Sequence, residues 1–163
     1  ILNHYYGNGG LVEVPKTLSL KEIGSFAFSN FDYVEKTREE LEIDDRETTK
    51  QWYIGETTVT KVVIPEGVKT ISSFAFSGCN DLYEIVIPAG VKKIAEGAFK
   101  TCVNLKTVTL PAGVGKIECD VFKGCTALET INVAFGKVDY YKSRLPESLH
   151  DKLVELPKPS KKK

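Results

Sequence analysis

A solenoid of mixed α/β class, in which short coils stack into one continuous core, is the fold this sequence predicts. Three observations carry that expectation. The stretch VVIPEGVKTISSFAFSGCNDLYE at 62–84 returns as IVIPAGVKKIAEGAFKTCVNLKT at 85–107 and again as VTLPAGVGKIECDVFKGCTALET at 108–130, a period of 23 residues. Apolar residues alternate over a short run at the start of every copy, which is strand patterning. A unit this short buries its apolar face only by stacking on its neighbours, so the repeat itself implies the architecture.

The elements follow in order. Val62, Ile85, Val108 and Ile131, with Ile64, Ile87, Leu110 and Val133 two residues later, form the inward positions of successive parallel strands. Pro65, Pro88 and Pro111 close each strand, since proline has no N–H to give a ladder. Gly67, Gly90 and Gly113 then permit a turn. Past the turn, Val68, Val91 and Val114 begin the interior ladders, continued by Ile71, Ile94 and Ile117, by Ala75, Ala98 and Val121, and by Phe76, Phe99 and Phe122. Cys79 with Leu82, Cys102 with Leu105 and Cys125 with Leu128 end the copies.

These residues, read as I-x-I-P-x-G-V-x-x-I-x-x-x-A-F-x-x-C-x-x-L, are similar to the BspA-like, Treponema pallidum-type leucine-rich repeat. The resemblance covers 62–130 closely and, with degeneration, about 12–140. It implies a right-handed superhelix with a parallel concave sheet, short turns on the convex side, a place on bacterial surface or secreted proteins, and a role in adhesion. It brings no catalytic residues with it.

The whole of 1–156 reads as a single leucine-rich-repeat domain, with regular repeats at 62–130, degenerate ones at 12–61 and 131–142, a cap at 143–156 and a basic tail or linker at 157–163. Upstream, Val12, Val14 and Pro15 look like a strand and its stop, and Ile23, Ala27 and Phe28 like the rest of a coil. The 48 residues from Phe28 to Phe76 predict a second, decayed coil, with Leu41 and Ile43 as its strand and Trp52 and Tyr53 as its aromatic plug. Charge-rich Glu35 to Lys50 suits a solvated insertion on the rim. Downstream, Ala134 stands where proline is due and Tyr140 takes the isoleucine position, so the repeat is ending. Leu149, Leu153 and Leu156 fall at helix spacing and predict a short C-terminal capping helix; a membrane-surface helix is the lesser reading of that mixed-charge run.

Composition narrows the function classes. Lys plus Arg and Asp plus Glu number 22 each, so the net charge is zero and no long-range steering of nucleic acid is implied. No run of 18 apolar residues occurs, and direct membrane insertion is not expected. The chain starts at Ile1, contains no methionine, and reads as a piece of something longer, so the lack of a signal segment does not argue against secretion. Cys79, Cys102 and Cys125 are successive rungs whose side chains run in parallel, which favours buried free thiols over bridges. Cys119 shares the position of Ser73 and Glu96 and is expected at the surface, with its redox state open.

Catalytic, cofactor and metal sites are not expected. His4 and His150 lie at opposite ends of the repeat, and no serine or cysteine has a base placed beside it. Asp44 and Asp45 lack the spaced oxygens of a calcium loop, and Gly7, Gly9 and Gly10 do not sit between a strand and a helix. What remains is the outward side of the sheet. Period two places Lys61, Glu84, Thr107 and Thr130 in one outward column and Val63, Val86, Thr109 and Asn132 in the next, with Tyr83 beside them. Two exposed β-branched residues edged by an aromatic resemble a partner-binding patch, although good strand formers alone would also put valine there. The expected function is a non-catalytic bacterial surface or secreted module that binds a host, matrix or other cell-surface protein, or a glycan, through these residues. The alternative is a structural spacer in a larger surface protein, with a lectin-like or enzyme-associated module third. Bare parallel edges leave association into an oligomer open.

Overall fold

The computed structural model describes residues 2, 10–14, 20–25, 27–28 and 59–158, and the backbone alone of 31–33 and 52–54. The predicted roles of His4, Gly7, Gly9, Pro15, Leu41, Ile43 and Asp44–Asp45 lie outside these residues. In chain order the strands are β1 (Gly10–Glu13), β2 (Glu22–Ile23), β3 (Phe31–Tyr33), β4 (Trp52–Ile54), β5 (Val59–Val63), β6 (Thr70–Ile71), β7 (Glu84–Val86), β8 (Lys93–Ile94), β9 (Thr107–Leu110), β10 (Lys116–Ile117) and β11 (Thr130–Val133). Helix α1 (Val138–Lys142), a 3-10 helix (Glu147–Lys152) and β12 (Leu153–Glu155) complete the chain.

The strands assemble into a six-stranded parallel sheet, β1-β5-β7-β9-β11-β12, and a four-stranded parallel sheet, β10-β8-β6-β2. Each coil therefore has three sides: a long strand, a two-residue strand carrying the isoleucine ladder, and a turn. Proline ends the long strand as expected, with Pro111 directly after β9. The turns are laddered too. Phe74, Phe76 and Gly78 donate their N–H groups to the carbonyls of Glu96, Ala98 and Lys100 at 3.0, 2.8 and 2.8 Å, and Gly97, Phe99 and Thr101 donate to Cys119, Val121 and Lys123 at 3.1, 3.0 and 2.7 Å.

That core is built of stacked like residues. Phe28, Phe76, Phe99 and Phe122 are buried and lie face to face, with centroids 4.9, 5.0 and 5.7 Å apart. The cysteines follow the same ladder for a reason not evident from size alone. Cys79, Cys102 and Cys125 donate their S–H groups to the carbonyls of Phe28, Phe76 and Phe99 at 2.8, 3.1 and 3.0 Å, so each thiol ties its coil to the one before. All four cysteines are free. A hydrogen bond with Cys125, and then burial, pushes the Cys102 thiol well above its ordinary range and keeps it a donor.

Two expectations need correction. No second coil is stacked between the coil of Phe28 and that of Phe76: β1 pairs directly with β5, Ile23 with Ile71, and Phe28 stacks on Phe76. Trp52 and Tyr53 instead sit in β4, which pairs antiparallel with β3 in a separate two-stranded sheet. At the other end the helix lies at Val138–Lys142, ahead of the predicted 143–156. Leu153 belongs to a strand, paired with Ile131, so the leucines at helix spacing do not share a helix. Tyr141, not Tyr140, fills the interior there: it is fully buried, its hydroxyl donates to the Pro111 carbonyl, and the Val114 N–H reaches the same hydroxyl at 3.4 Å. Tyr140 covers the end of the short sheet, donating to the Val114 carbonyl at 2.9 Å.

Candidate binding face on the six-stranded sheet

Because inward positions fill the core, the intervening side chains of the long strands emerge on the opposite face. Their register is regular from β5 to β11. Lys61 lies beside Glu84, Glu84 beside Thr107 and Thr107 beside Thr130, while Val86 lies beside Thr109 and Thr109 beside Asn132. Val63 follows Lys61 by two residues on β5 and shares the second column. The structure thus brings the predicted outward residues together on one face. Val63 and Val86 are 37% and 57% exposed, and Tyr83, at the entry to β7, is 53% exposed.

The face has two halves of different chemistry. In the first, Lys61 pairs with Glu84, and a shallow depression of about 280 Å³ is lined by these two with Val63, Val86, Glu66 and Pro88. Both charges are about half exposed, so this pair adds only about 0.2–1 kcal/mol and cancels its own charge, with Glu66 left as a carboxylate at the edge. In the second, Thr107, Thr109, Thr130 and Asn132 form a half-buried polar array, tied by a 3.4 Å bond from Asn132 Nδ2 to Thr109 Oγ1.

A third column, at the rim, escaped the sequence reading. Lys106 Nζ lies 5.4 Å from the centre of the Tyr83 ring and 3.6 Å from Glu129. These residues recur at the phase of Tyr83, which was the signal available. Leu11, beside Lys61, and Val154, beside Asn132, also extend the face and are exposed; the first belongs to an irregular copy and the second to the misread cap. Elsewhere, Glu118 accepts from Lys116 and Lys93 and from the Glu96 N–H, and those bonds, Lys116 foremost, hold its carboxyl down at about 2. His150 is structural: its Nε2 donates to the carbonyls of Lys142 and Leu145, both at 3.0 Å. Among the described residues no group of His, Cys, Asp and Glu could hold a metal ion, and no helix is long and apolar enough to cross a membrane.

Comparison with known families bears on this face. The profile of the BspA type leucine rich repeat region matches residues 47–153 in 6 copies, about two thirds of the chain. The chain belongs to the BspA-type leucine-rich repeat family. No curated protein matches it. Among solved structures it is similar to the crystal structure of a leucine rich cell surface protein from Faecalibacterium prausnitzii, at 26% identity and a TM-score of 0.50. That match covers 55% of this chain and 24% of the other, so this BspA-type chain aligns with about a quarter of that longer protein. The family is one of repeat modules that are generally non-catalytic and generally mediate protein interactions.

Proposed function

We propose that this chain is a non-catalytic module of a bacterial surface or secreted protein, and that it holds a protein or glycan partner on the outward face of its six-stranded sheet. One observation carries this reading. Exposed Val63, Val86 and Tyr83 stand in register beside the Thr107, Thr109, Thr130 and Asn132 array, on strands whose opposite side is locked into a core. A rigid face with an apolar half, a hydroxyl and amide half and an aromatic rim suits recognition of a partner, because little ordering entropy is lost on binding. Extracellular placement is supported by the family and by the cell-surface relative.

The test is a pair of substitutions on the face. Val86→Asp and Tyr83→Ala are expected to abolish retention on cultured host cells, immobilised matrix proteins and mucin-type glycans, while the urea midpoint stays within about 0.5 kcal/mol of the parent. Retention unchanged in every assay would favour the second reading, a spacer within a longer surface protein. That reading draws on the length of the Faecalibacterium relative, of which this chain covers 24%.

A further inference from the structure

The four-stranded sheet carries a charge pattern that the six-stranded face does not share. Lys21, Lys69 and Lys92 hold one phase of three stacked coils and are laddered directly: the Lys69 N–H donates to the Lys21 carbonyl at 2.7 Å, and the Lys92 N–H to the Lys69 carbonyl at 2.8 Å. One position on, Thr70 lies beside Lys93 and Lys93 beside Lys116. The Lys116 N–H continues the first row by donating to the Lys92 carbonyl at 3.0 Å. Five lysines thus crowd one side of the coils, on rungs about 4.8 Å apart.

Carboxylates do not match them in number. Glu118 holds Lys93 at 3.2 Å and Lys116 at 2.8 Å. Glu22, which lies beside Thr70, is engaged by the Ser72 hydroxyl. Lys21, Lys69 and Lys92 are exposed, and none of them makes an ion pair or a side-chain hydrogen bond among the described residues. In a chain whose charges balance at 22 of each sign, this is a local excess of positive charge.

We propose that this row is a second binding surface, separate from the six-stranded sheet, for a sulfated polysaccharide laid along the solenoid axis. Charge and spacing select that occupant. Cations repeated at a fixed rung complement a linear polymer that carries anions at intervals, rather than a globular partner with one acidic spot. All five residues are lysine and none is arginine. An ammonium is a compact charge with three rotatable donors, which suits the tetrahedral oxygens of a sulfate, whereas two-pronged pairing with a carboxylate calls for a guanidinium. The outward residues of these short strands, Glu22, Thr70, Lys93 and Lys116, include no aromatic ring on which the bases of a nucleic acid could stack. Because the whole chain is neutral, the attraction is short in range and fades beyond about 8 Å at physiological salt.

The probe is heparin, immobilised for retention of the full chain at low salt and free in solution for affinity as a function of salt. Lys21→Gln, Lys69→Gln and Lys92→Gln together are expected to weaken binding about 10–100-fold, as three exposed ion pairs would, and to lower the slope of log affinity against log salt by about 2–3. The urea midpoint of this variant should match the parent's, since those side chains hold nothing else in place. Removing the same charge from the tail, by Lys161→Gln with Lys162→Gln and Lys163→Gln, should leave both affinity and slope unchanged. Desulfated heparin, a change that leaves the protein untouched, should not retain the chain. Passage through the heparin column at low salt, an equal loss in the tail variant, equal retention on desulfated heparin, or equal displacement by duplex DNA at matched charge would each overturn the proposal.

Discussion

At Gly90 the missing side chain is a packing requirement. A Cβ there would fall on the carbonyl oxygen of Glu66 and lie 2.9 Å from that of Val68, one coil back, whereas a Cβ at Gly113, the same position in the next copy, would meet nothing within 4 Å. Gly90→Ala is therefore expected to cost about 1–3 kcal/mol, the usual range for forcing atoms into a filled site. Gly113→Ala should be neutral or stabilising by up to about 1 kcal/mol, since it only narrows the unfolded ensemble. Urea midpoints of the two variants check this, and equal shifts would refute it. The sequence showed where these glycines recur but not which is needed, because the need lies in the neighbouring coil. The same holds for Phe74 and Asp120, both at φ 57°, whose repeat partner Gly97 must stay bare because a Cβ would lie 2.5 Å from the Phe74 ring.

Among the elements, the long strands and the phenylalanine ladder were legible because one side chain per coil repeats at one period. The C-terminal element was not. Leu149, Leu153 and Leu156 imitate a helix, and the signal that contradicted it was the step of 22 residues from Ile131 to Leu153, one short of the repeat. Tyr141 is the pin of this end, and burial raises its phenol from 10.0 to about 12. A raised phenol pKa means full stabilisation below the unfolded value, lost as pH climbs through the folded one. The end should therefore weaken between about pH 10 and 12, by about 2–3 kcal/mol in all. Absorbance titration should show one phenol ionising near pH 12 in the folded chain, absent in Tyr141→Phe; a phenol set ionising wholly near pH 10 would contradict the burial.

For the whole molecule, the stack passes directly from the coil of Phe28 to the coil that begins at Val59. Since β1 pairs with β5 and Phe28 stacks on Phe76, replacing residues 31–56 by a short Gly-Ser linker should leave a single cooperative unfolding transition. The shift is expected to stay within about 1 kcal/mol, because closure entropy depends only weakly on loop length. Loss of the fold, or a split transition, would show that those residues hold coils together. A reading based on period alone missed this, since 48 residues between phenylalanines is so near two periods. The even register from β5 to β11 has a further meaning for how such molecules diversify. Each coil writes two outward letters on the sheet and a third on its rim and keeps its buried positions for the frame, so specificity can be rewritten a few codons at a time without re-solving the interior.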